Sequence, residues 1–159
     1  MASQPQTDLG KFGAKMDELF TVLGRAFPED RDLPHYDDKL KAARKINPRK
    51  VCEKFMEITK LPAPMAAGSN TQELFLHRIL REDDGFFLGL NHSEYVGDPT
   101  YLQLIDKVTL LWNSMTPSSQ DAVKRYMKIL CIRGAQATKD PVALTIINDN
   151  RAASGLPPL

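Results

Sequence analysis

Four times in this chain a side chain able to cap a helix stands directly before a proline: Asn47–Pro48, Asp98–Pro99, Thr116–Pro117 and Asp140–Pro141. A capping oxygen accepts one of the orphan N–H groups of a first helical turn. A proline at the first helical position gives up a donor that the helix does not need. Apolar residues at steps of three and four follow three of these pairs, so the pattern marks helix starts and commits the chain to an all-α class.

The spacing predicts a first helix over 9–27, where Leu9, Phe12, Met16, Leu19, Phe20, Leu23 and Phe27 form one stripe. A more polar helix over 34–46 buries Tyr36, Leu40 and Ala43, and a third over 48–60 buries Val51, Cys52, Phe55 and Ile58. The Pro/Ala/Gly-rich stretch 62–70 reads as a loop or linker between an N-terminal helical unit, 1–61, and a C-terminal unit, 71–150. Asn70 with Glu73 offers a capping-box-like start for a helix whose inner face is Phe75, Leu76, Ile79 and Leu80. Two strong helices follow, over 100–115 and 118–133, the second stopped at Gly134. Their short Thr116–Pro117 connection predicts a C-terminal antiparallel helical hairpin. A short helix over 141–150 precedes a flexible tail, 151–159. The expectation is a bundle of six to eight short helices forming one compact domain.

Composition then narrows the function classes. With 21 basic and 20 acidic residues the formal charge is +1, which excludes a globally basic nucleic-acid coat protein. Cys52 and Cys131 sit in apolar helical contexts and read as small buried hydrophobes in a reducing compartment. The polar opening residues, and the lack of an apolar run near the ~18–20 residues of a membrane span, give a cytoplasmic expectation with no membrane insertion.

No metal and no cofactor is expected. His35, His77 and His92 lack paired zinc spacing with the cysteines, and the loop from Asp83 to Glu94 lacks the acidic ligands of a calcium loop. No nucleophile elbow or Gly-rich phosphate loop occurs, and the acids Glu82, Asp83 and Asp84 read as a solvated helix end, so no catalytic residue is assigned.

Two segments carry binding potential. Residues 39–54 hold seven basic side chains against the single acid Glu53, and Lys41, Arg44, Lys45, Arg49 and Lys50 are the phosphate-binding candidates. The competing reading is a solvated polar face. The cluster around Phe86, Phe87, Leu90 and Tyr95 either plugs the core or presents apolar anchors to a protein partner.

Residues 79–87, ILREDDGFF, and 104–130, LIDKVTLLWNSMTPSSQDAVKRYMKIL, resemble small helical proteins of nucleocytoplasmic large DNA viruses. In these a Leu-Trp helix end, a short Ser/Thr turn and a Tyr-containing helix recur near the C-terminus. The resemblance implies a minor structural protein of the virion or of infected cytoplasm, without catalytic residues. The function expected is a non-enzymatic interaction or assembly module, partnered by another protein or by itself. Phosphate or nucleic-acid binding through 39–54 is the alternative.

Overall fold

The computed structural model describes residues 7–65, 68–84 and 99–159. Seven helices occupy them: α1 Asp8–Ala26, α2 Asp32–Ile46, α3 Pro48–Thr59, α4 Phe75–Leu80, α5 Pro99–Trp112, α6 Pro117–Thr138 and α7 Pro141–Ala153. Among the described residues the only extended pairing is an isolated bridge between Pro62 and Leu74. The architecture is an all-α bundle.

The caps act as their chemistry dictates. Asn47 Oδ1 accepts the Lys50 N–H at 3.1 Å, and Thr116 Oγ1 accepts the Ser119 N–H at 3.1 Å. Asp140 Oδ1 accepts from both Val142 and Ala143 at 3.1 Å. Thr7, with no proline behind it, caps α1 through the Gly10 N–H. Pro99 opens α5, while its partner Asp98 lies outside the described residues.

Two helix starts differ from expectation. α2 begins at Asp32, two residues before Pro34, because Asp30 Oδ1 accepts the N–H groups of Asp32 and Leu33. Pro34 then takes the third helical position, whose N–H is still an orphan, so it does no damage. α4 begins at Phe75 rather than after Asn70. The chain before it is held in extended pairing by Ala63 N–H to Glu73 O (2.8 Å) and Phe75 N–H to Leu61 O (3.1 Å). The cap is completed by His77, whose Nδ1 accepts the Leu74 N–H at 3.0 Å.

Gly134 does not stop α6, which runs on to Thr138 and ends at Lys139 in the left-handed region (φ 52°). The glycine is needed for packing: a Cβ there would lie 2.7 Å from Met56 Sδ and 3.2 Å from Met56 Cγ. Its absence lets α6 close onto α3.

One core runs through the molecule. α6 packs most extensively on α1 and next on α3, joining segments from both sides of the 62–70 stretch. Phe12, Leu23, Leu33, Met56, Leu76, Leu130 and Ile147 are buried almost completely. Trp112, read from its helical phase as a core residue, is buried. The last residues fold back along α7: Leu156 N–H donates to Arg151 O at 2.8 Å, and Leu159 N–H donates to Asn148 Oδ1 at 2.8 Å. Residues 151–159 thus begin in the last turn of α7 and carry these two hydrogen bonds.

Candidate functional site

The basic segment 39–54 forms a face on α2 and α3. Side-chain spacing puts Lys41 one turn from Asp37, and its ammonium lies 3.0 Å from the carboxylate. That hydrogen bond and the attraction behind it raise the Lys41 pKa above its ordinary value. Arg44 turns inward: with its side chain 12% exposed, it pairs with Asp17 of α1 and lies beside Gly13. Arg49 pairs with Glu53 at 2.9 Å and reaches the Ala137 carbonyl of α6. Lys54 pairs with Glu57. Of the five phosphate candidates, Lys41, Arg44 and Arg49 are thus engaged within the fold. Lys45 and Lys50 are exposed beside the Asn47–Pro48 turn and carry no ion pair among the described residues. Sequence alone counts these charges but does not show that Asp17, on a different helix, answers one of them.

The other chemistry-bearing side chains serve the scaffold. Cys52 and Cys131 are fully buried. Burial, with Glu53 nearby, pushes the Cys52 thiol up to about 12, and burial alone raises that of Cys131. A thiol so held does not form the nucleophilic thiolate. His77 spends Nδ1 on the α4 cap. Asp83 accepts from Arg81, which also grips Glu73 in a two-pronged pair, and Asp84 accepts from Lys124 at 2.9 Å. The described residues hold no cluster of three or more His, Cys, Asp or Glu side chains suited to a metal ion.

The partner-binding candidates Phe86, Phe87, Leu90 and Tyr95 lie outside the described residues. The helix that follows them is described, and it is unusual. α5, PTYLQLIDKVTLLW, is the most apolar of the longer helices, yet only Leu102 and Trp112 on it are buried. Tyr101, Leu104, Ile105 and Val108 are half-buried, and Leu110 is 77% exposed. α5 approaches α2 most closely, tied by Lys107, whose ammonium lies 2.7 Å from Asp30 and 2.9 Å from Asp32. Those two carboxylates raise the Lys107 pKa, and the Asp30 carboxyl falls below its ordinary range despite partial desolvation.

Between α5 and the rest of the bundle lies a partly enclosed cavity of about 100 Å³ into which the described residues turn only apolar surface. α1 contributes Met16 and Phe20, α5 contributes Leu104 and Val108, and α6 contributes Val123 and Met127. Thr59 also borders it, but its hydroxyl donates to Met56 O at 2.8 Å. Sequence reasoning assigned the α5 stripe to the core and missed both the cavity and the outward Leu110. The available signal was Leu110 in phase with Gln103 and Asp106, on the polar face of α5.

No helix among the described residues is long and apolar enough to cross a membrane. No family model, no curated protein and no solved structure matches this chain.

Proposed function

We propose that the protein is a non-enzymatic helical interaction or assembly module whose contact surface centres on α5. The supporting observation is the mismatch on that helix between composition and coverage. A large apolar side chain gains stability when it is buried, and here Leu110, on the face that also carries Gln103 and Asp106, stands in solvent while the inner stripe is half covered. A protein partner or a second copy of the chain would complete the burial. Phe86, Phe87, Leu90 and Tyr95, which precede α5 in sequence and lie outside the described residues, are further candidate contacts under the same proposal. The resemblance of residues 79–87 and 104–130 to proteins of large DNA viruses supports a minor virion or capsid component acting in infected cytoplasm.

The test is a tagged pull-down from the native source, split into nuclease-treated and untreated halves, with Leu110→Asp and Phe87→Asp beside the wild type. Leu110 is exposed, so its replacement leaves the core intact. Loss of a nuclease-resistant partner in these variants supports the surface, whereas capture unchanged in both removes it. A second reading rests on Lys45 and Lys50, whose ammonium groups remain available for phosphate. Partners lost on nuclease treatment, with a salt dependence flattened by Lys45→Ala and Lys50→Ala, would favour it.

A further inference from the structure

The cavity beneath α5 has a chemistry of its own. The described residues turn only apolar surface into it, the Thr59 hydroxyl being spent on Met56 O, and a water needs two to four partners to be held, so water is a poor occupant. A charged or strongly polar guest would lose its hydration with nothing in return. Volume sets the upper size: apolar cavities of about 150 Å³ accept benzene, and about 100 Å³ matches one aromatic ring or a short branched alkyl group. Access is through the most lightly covered wall, since α5 presents Leu104, Ile105 and Val108 half-buried and lies closest to α2 rather than to the helices opposite.

We propose that this cavity is a binding site for one small, neutral, apolar molecule of single-ring or short-alkyl size. The site is independent of the interaction surface, because a guest inside α5 can bind whether or not a partner covers its outer face.

Benzene is the probe. Added to the full-length protein, it should raise the unfolding temperature and shift the methyl resonances of Leu104, Val108, Val123 and Met127, with intermolecular contacts to those methyls. Benzoate, the same ring carrying a charge, should do neither. Val108→Phe, on the lightly packed wall, should fill the space and weaken benzene binding by about ten-fold or more. If that variant does not fold, the wild-type methyl contacts still decide. Benzene that contacts none of these methyls overturns the proposal, as does binding unchanged in a folded Val108→Phe. Binding seen only after Phe86 and Phe87 are replaced by alanine would mean the chain fills its own cavity, and overturns it too.

Discussion

Gly134→Ala sets two well-characterised effects against each other. Alanine is favoured over glycine inside a helix by about 1 kcal/mol, and Gly134 lies well within α6. Its new methyl, however, would stand 2.7 Å from Met56 Sδ, where no Cβ normally sits. A thioether at the surface would swing aside, but Met56 is 1% exposed, with the buried Cys52 and Val51 on the same helix. Forcing an extra methyl into a packed core costs about 1–3 kcal/mol. The steric effect therefore wins, leaving the variant roughly 1 kcal/mol less stable, or about 2–4 °C lower in Tm for a chain of this size. Urea unfolding followed by helical circular dichroism measures the difference. A double-mutant cycle identifies the cause: Met56→Ala alone should lose about 2–5 kcal/mol. In the double variant the new methyl enters the vacated space while the helix-propensity gain remains, so the combined loss should fall short of the sum by the relieved steric cost, roughly 2 kcal/mol. A Gly134→Ala protein more stable than wild type would falsify the close α3–α6 contact, and additive losses would assign the effect elsewhere.

Two further outcomes test the scaffold. Asp140 caps α7 and pairs with Lys60; its side chain is 10% exposed, and burial alone would raise its pKa, yet Lys60 and the Ala143 and Val142 N–H groups hold it below the ordinary value. A carboxyl depressed in the folded state stabilises fully above its unfolded pKa of about 4 and ceases to do so as pH falls through the folded one. Asp140→Ala should thus lose roughly 1–2 kcal/mol near neutral pH, with the gap to wild type narrowing in acid; a gap constant down to about pH 2.5 would disprove the charged cap. Cys52 and Cys131, buried with raised thiol pKa values, should resist iodoacetamide in the folded protein at mildly alkaline pH and react once urea unfolds it. Rapid labelling of either cysteine without denaturant would contradict that burial.

Helix starts were legible wherever the deciding chemistry is local. Asn47, Thr116 and Asp140 accept N–H groups two or three residues ahead, so a dipeptide carries the information. Reading failed where a distant residue decides. Gly134 looks like a helix stop because the local signal for a C-terminus and the tertiary need for close packing use the same residue; only the position of Met56 distinguishes them. Asn70 looks like a cap because nothing nearby shows that Leu61 and Ala63 will pair with residues 73–75. The basic segment shows the same limit in electrostatic form. The Lys41–Asp37 and Arg49–Glu53 pairs follow from four-residue spacing, but the Arg44–Asp17 pair crosses from α2 to α1 and is invisible without the packing.

α5 is the helix whose packing stability alone explains least. An unfilled apolar space of about 100 Å³ forfeits roughly 2 kcal/mol at about 24 cal/mol per Å³. One larger side chain at a half-buried position such as Val108 would recover much of that, since surrounding α5 residues have room to adjust. The fold instead leaves the space and holds α5 by Lys107 between Asp30, which is largely covered, and Asp32, which is exposed, so charge fixes the position of the helix. Positioning by charge, with apolar surface left uncovered within and outside, is poor design for stability alone and well suited to a helix that completes its burial on binding. Stability forgone at a binding element is a common compromise in natural proteins; under the proposal above, Leu110 is where a partner would add burial, while the cavity lies on the opposite, inner side of α5.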